Sequence, residues 1–113
     1  MNIDVKKVNI CVAVPKDFVD KVRNAVCKVG AGKIGDYSFC SSEVECVGTF
    51  IPNKSAQPFI GNKGELEKVD EIKLDFICDA GNIKNVLKEI RRVHPYEEPV
   101  ITIFPLLSEK DFE

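Results

Sequence analysis

The order in which hydrophobic periods succeed one another constrains this chain more tightly than any single motif. Val8, Ile10, Val12 and Val14 alternate with Asn9, Cys11 and Ala13, the period of two that turns one face of a strand toward a core. Pro15 closes that run, and the period changes. Between Lys16 and Val29 the apolar residues Phe18, Val22, Ala25, Val26 and Val29 fall at helical spacing, with Asp17, Lys21, Arg23, Asn24 and Lys28 on the wet side. Gly30 stands where a helix end needs a positive φ, and with Gly32 and Gly35 it makes the next segment a turn-rich connector. Tyr37, Phe39 and Ser41 then alternate, and Val44, Cys46, Gly48 and Phe50 alternate again, shifted by one residue. A bulge near Ser41 or Ser42 reconciles the two runs, so one long bent strand is predicted from Tyr37 to Ile51. Residues 52–68, with Pro58, Gly61 and Gly64, read as a long excursion. The period of two returns at Ile72, Leu74, Phe76 and Cys78. A second helical stripe of Ile83, Val86, Leu87, Ile90 and Val93 opens at the N-cap candidate Asn82 and stops before Pro95, with Arg91 and Arg92 in its last turn. Val100 to Leu106 supplies a last strand, and residues 107–113 are expected to form a loose acidic tail.

Strand, helix, strand, strand, helix, strand defines an α+β sandwich of ferredoxin-like βαββαβ type: a four-stranded antiparallel sheet with two helices on one face. The 113 residues suit one domain, 1–113, with its core between 8 and 106. Ile10, Val12, Ile72, Leu74, Phe76, Ile101 and Ile103 are expected to meet the two helix stripes. The other face receives Cys11, Ala13, Ile77, Val100 and Phe104, which is too apolar to be left to water. That face is the expected subunit interface of a self-associating protein.

Charge and composition exclude several functions. Sixteen Lys and Arg stand against eighteen Asp and Glu, a formal net charge of −2, so the basic footprint that nucleic-acid binding requires is missing. The outward positions of the central strands carry Asn9, Cys11, Lys73 and Asp75, not the aromatic platform with which such a sheet stacks RNA bases. No apolar run approaches the roughly 18 residues of a membrane span, and the polar start, Met1 to Val8, does not resemble a signal peptide. Five cysteines, an odd number without a Cys-x-x-Cys pair, suit reduced thiols in the cytoplasm.

The densest polar cluster is His94-Pro95-Tyr96-Glu97-Glu98-Pro99. His94, Glu97 and Glu98 carry the right atoms to bind a divalent cation or to act as acid and base. The competing reading is a proline-stiffened turn in which His94 caps helix carbonyls and Tyr96 packs over the sheet edge. The segment from Gly30 to Tyr37 suggests an anion cradle built on Gly32, Lys33, Gly35, Asp36 and Tyr37. It is no P-loop, because it lacks Gly-Lys-Ser/Thr and follows a helix instead of opening one. Gly48-Thr49-Phe50 with Pro52, Gly61 and Gly64 fit either a ligand-contacting flap or a tight exit from the sheet. No serine sits in a nucleophile elbow, and one histidine serves the whole chain, so no catalytic residues are expected.

Four ordered motifs, Gly30-Ala-Gly-x-Ile-Gly-Asp-Tyr-Ser-x-Cys40, Gly48-Thr-Phe-x-Pro52, Pro58-x-Ile-Gly61-x-x-Gly64-x-Leu66-Glu67 and His94-Pro-Tyr-Glu-Glu-Pro99, resemble the domain inserted in YqfO-type members of the Nif-three-like family, the dinuclear-metal-centre hexameric proteins. The resemblance runs from Val8 to Leu106. It implies a CutA/PII-like fold, assembly as a homotrimer, and a regulatory or small-molecule-binding role in place of catalysis, with a small molecule or a protein as partner. The family's metal ligands lie in flanking domains and have no counterparts here, so no cofactor is expected from them. The candidate ligand-binding residues are Gly32, Lys33, Gly35, Asp36, Tyr37, His94, Tyr96, Glu97 and Glu98. The alternative is a divalent-metal-binding CutA-like protein using His94, Glu97 and Glu98, completed by a neighbouring subunit.

Overall fold

A computed structural model describes residues 4–113; the first three residues of the polar N-terminal stretch lie outside the described part. The elements are β1 (Lys7–Pro15), α1 (Val19–Lys28), β2 (Ser42–Phe50), β3 (Glu67–Asp79), α2 (Ile83–Val93) and β4 (Ile101–Leu106), with short 3₁₀ turns ahead of each helix. All strand pairs are antiparallel and the sheet order is β2-β3-β1-β4, the ferredoxin-like arrangement expected. In register, Ile10 lies between Phe76 and Ile103, and Val12 between Leu74 and Ile101. Ile10, Val12, Leu74, Val22, Val26, Val86 and Ile90 are wholly enclosed. Each such aliphatic side chain contributes about 1.5–3 kcal/mol through burial, and together they fasten both helices to one face. Ile101 packs against this cluster, whereas Ile103, on the same edge strand and expected to meet the helices, is 41% exposed and does not join it.

α1 ends as its glycine requires. Gly30 takes φ 106°, its N–H donates to the Cys27 carbonyl, and the Ala31 N–H donates to the Val26 carbonyl, both at 3.1 Å; this is the Schellman pattern. Asn82 does stand at the N-cap of α2, but its side chain makes no capping bond. It reaches across to donate to the Val29 carbonyl at 2.8 Å, tying the end of one helix to the start of the other.

Three local expectations are corrected. The long strand from Tyr37 does not form, because β2 begins at Ser42. Ile34 and Tyr37 close a tight turn on each other, both N–H···O distances being 2.9 Å, and Gly32, Gly35 and Phe39 all adopt positive φ. An extended backbone is incompatible with those angles. In the other direction β3 begins at Glu67, five residues ahead of the first clear apolar alternation, and takes in the last two residues read as the excursion. Its early residues pair with Phe50 through Cys46 although they are mostly polar. The acidic tail is not featureless either: residues 109–112 form a 3₁₀ turn, with the Ser108 N–H donating to the Asp111 carboxylate at 2.7 Å.

The helix-free face keeps its apolar character. Cys11, Ala13 and Ile77 are half-buried, and Val100 and Phe104 are 64% and 53% exposed. Among the described residues no helix is long and apolar enough to cross a membrane. All five cysteines are free thiols. Burial, as the first cause, raises Cys11, Cys27 and Cys78 above the ordinary thiol value and makes them poor nucleophiles.

Candidate functional site

Alternation along β3 sends Ile72 and Leu74 toward the helices and therefore turns Glu71 to the opposite face, where it lies between Pro15 of β1 and Cys46 of β2. Glu71 is nonetheless buried, with only 6% of its surface exposed. A carboxylate in such a place needs donors, and the turn after α2 provides one. That turn is built by His94. Its N–H closes the last helical bond, to the Ile90 carbonyl at 2.8 Å, and its backbone then extends at φ −71° and ψ 133°, as a residue ahead of proline must. The imidazole does not cap helix carbonyls. Its Nε2 lies 2.7 Å from the Ala13 carbonyl on β1, and its Nδ1 accepts the Tyr96 N–H at 3.1 Å, which assigns the proton to Nε2.

The turn so fixed carries Tyr96 onto Glu71. The phenol donates to Glu71 Oε2 at 2.7 Å. Burial first, then that hydrogen bond and the Glu71 charge, push the phenol well above the ordinary tyrosine value, so it remains a donor. The ring of Tyr96 neighbours those of His94, Phe50 and Phe59 at centroid separations of 5.0, 6.3 and 6.4 Å. Phe59 in turn meets Phe18 edge-on at 5.7 Å. Burial also holds the His94 imidazole below the ordinary histidine value, against the opposing pull of the Ala13 carbonyl and the Glu71 charge.

Gly48 completes the arrangement. A Cβ at this position would lie 1.9 Å from Glu71 Oε1, so the carboxylate occupies the space that any other residue of β2 would fill. The segment between β2 and β3 folds over the same place. Its neck is closed by the Gly64 N–H on the Pro52 carbonyl at 2.7 Å, and its middle is held by the Gln57 N–H on Glu97 Oε1 at 3.0 Å. Between this loop, the end of β2 and the turn after α2 lies a cavity of about 550 Å³. Its walls include Phe50, Pro52, Phe59 and Val100, and its polar groups include Glu71, Tyr96, Glu97 and Glu98.

The residues singled out from sequence fall into two separate places. Tyr96, Glu97 and Glu98 line the cavity, and His94 sits behind it as the support of the turn. Gly32, Lys33, Gly35, Asp36 and Tyr37 lie elsewhere. The Gly32 N–H donates to the Ile77 carbonyl, six residues along β3 from Glu71 and so about 20 Å away. Lys33, Asp36 and Tyr37 are exposed there. A Cβ at Gly32 would meet the Cys40 carbonyl at 2.7 Å, so this glycine serves close backbone packing. The trio proposed for metal is not assembled within the chain: His94 is 7% exposed with both ring nitrogens engaged, and Glu97 turns to the Gln57 amide. Among the described residues no three histidine, cysteine or acidic side chains are grouped to hold a metal ion. Glu71 was missed, because an acid between Asp70 and Ile72 reads as an exposed strand position. The glycine inside β2 was the available signal.

This architecture is that of the CutA/PII-like proteins. CutA of Archaeoglobus fulgidus superposes with a TM-score of 0.68 at 16% identity, over 94% of this chain and 90% of that one. GlnK of B. subtilis, solved with ATP, gives 0.62 at 10% identity over 93% and 85%; identities this low show the fold alone. Sequence goes further. A GTP cyclohydrolase 1 type 2 homolog of Halalkalibacterium halodurans is 41% identical over 100 residues, 88% of this chain and 27% of that protein. A Bacillus cereus protein related to NIF3 superposes with a TM-score of 0.80 at 33% identity, over 95% of this chain and 27% of that one. The chain is thus similar in sequence to one segment of these NIF3-related proteins and shares the CutA/PII-like fold, and it spans about a quarter of the length of the relatives it matches. No family model matches it.

Proposed function

We propose that this chain is a small-molecule-binding module of PII/CutA type that works as a self-associating unit, a homotrimer, without a catalytic step of its own. The cavity over Glu71 carries the reading. Its volume falls within the range of small-molecule sites, and it combines apolar walls with a few converging polar groups, as such sites do. Among the described residues no serine or threonine hydroxyl of the lining is hydrogen-bonded to a base, and the one histidine is committed on both ring nitrogens to holding a turn. The partly exposed apolar face of the sheet supports self-association, and five free thiols suit a cytoplasmic setting.

The test is a thermal-shift screen of metabolite-sized compounds on the purified chain. A compound that binds the native state raises the midpoint by mass action, equivalent to about 2.7 kcal/mol at a hundredfold excess over Kd. The hits should vanish in Ala56→Trp, which places an indole in the cavity mouth. Hits that survive in this variant, or a library without a binder, would count against the site. Light scattering at micromolar concentration checks the assembly: a monomer would remove the trimer, and Phe104→Asp should dissociate it.

A further inference from the structure

The cavity has a chemical polarity that narrows what can enter. Glu71 is more than nine-tenths buried, and among the described residues only one of its oxygens has a donor, the Tyr96 hydroxyl on Oε2. Among the described residues no N–H or O–H is placed on Oε1, and no lysine, arginine or histidine forms an ion pair with the carboxylate. Nor is Oε1 sealed away, because no fully enclosed side-chain oxygen is left without a partner. It faces the space above Gly48, and both residues line the cavity. Glu97 and Glu98 add two further acids to the lining, and none of the lining residues is basic. The aromatic rings of Phe50, Phe59 and Tyr96 complete the surroundings.

We infer that this cavity selects small organic cations, molecules that present an ammonium or amidinium group to Glu71 Oε1 and lay an apolar or aromatic body against Phe50, Phe59 and Tyr96. The inference rests on the reading of the cavity as a ligand site and adds the class of ligand. A mostly buried carboxylate with one oxygen open to the cavity and no donor from the chain on it is matched by a charged donor, and aromatic faces attract the same cation. A phosphate or carboxylate ligand meets three acids and no base, which repels it. This ligand class differs in sign from the ATP of the GlnK complex that shares the fold.

Three probes of one shape separate the possibilities: tryptamine, 3-methylindole and indole-3-acetate, which are cationic, neutral and anionic near neutral pH. Titrating each into the intact chain and following it by calorimetry should show tryptamine binding at least about tenfold more tightly than 3-methylindole, and indole-3-acetate weakest. In Glu71→Gln, which keeps an oxygen for Tyr96 to donate to, the preference for tryptamine should disappear. Equal binding of all three probes, or tighter binding of the acid, would overturn the cation selectivity while leaving the cavity a binding site. No binding of any probe at about 1 mM would remove the cavity itself as a site. Because the ranking is measured on the unaltered chain, it decides the matter even if Glu71→Gln folds poorly; a folded Glu71→Gln that retains the preference also overturns it.

Discussion

Gly32 and Gly48 are both glycines against which another group lies too close for a side chain, yet they do different work. At Gly32 the intruding atoms are the Cys40 carbonyl and amide, at 2.7 and 3.0 Å from a Cβ, and φ is +77°. At Gly48 the intruder is a side chain, the Glu71 carboxylate, and no positive φ is involved. Backbone against backbone makes a fixed joint. Backbone against an ionisable side chain leaves a charged oxygen at a cavity wall. A glycine in a sequence says that something approaches closely; only the partner decides whether that approach serves packing or recognition.

The contrast can be tested in order of expected effect. Gly32→Ala should be the most damaging, costing about 2–4 kcal/mol in urea unfolding, because it meets rigid backbone and a left-handed φ at once. A cost below about 1 kcal/mol would show that this joint yields. Tyr96→Phe should cost about 1–3 kcal/mol, since it strips a buried carboxylate of its donor. Its loss should shrink in a Glu71→Gln background, and purely additive losses would separate the pair. Gly48→Ala should cost about 1–2 kcal/mol, less than Gly32→Ala, because a side-chain end can shift. Most of that loss should disappear when combined with Glu71→Ala, and a double-mutant cycle without coupling would break the proposed fit.

The smallest effect is that of pH. His94 takes a proton less readily in the folded chain than in the unfolded one, so the unfolded state binds more protons as the solution is acidified. Its contribution is complete above the unfolded value of 6.5 and is lost as pH falls through the lower folded value. His94→Gln should flatten the stability profile between about pH 5 and 7. An unchanged slope in that window would assign the dependence to other groups.

Most of the architecture was legible because the core obeys clean periods. The alternation from Val8 to Val14 and the stripes through Val22, Val26, Val86 and Ile90 lead directly to the buried cluster. What was not legible lies where polar residues obey tertiary geometry. The start of β3 at Glu67 carries no apolar rhythm, and the alternation of Tyr37, Phe39 and Ser41 is accidental in a segment ruled by positive φ. At the site, the motif from His94 to Pro99 was visible, and half of its meaning with it. Tyr96, Glu97 and Glu98 do reach a cavity. The partner Tyr96 reaches, Glu71, is 25 residues away in sequence, and linear spacing carries no trace of such a pairing. The glycine-rich connector has the composition of an anion cradle, but its glycines answer to Cys40 and to its own tight turn.

The bond from the Gly64 N–H to the Pro52 carbonyl has a use beyond shaping the cavity. It joins the two ends of a surface excursion whose middle belongs to no ladder, so the Gly64 amide proton acts as a clock. Its exchange with deuterium counts how often the neck of the loop parts, without any substitution in the chain. A compound lodged beneath the loop should slow that one proton relative to amides in the β1–β3 ladder, giving a residue-resolved record of occupancy under native conditions.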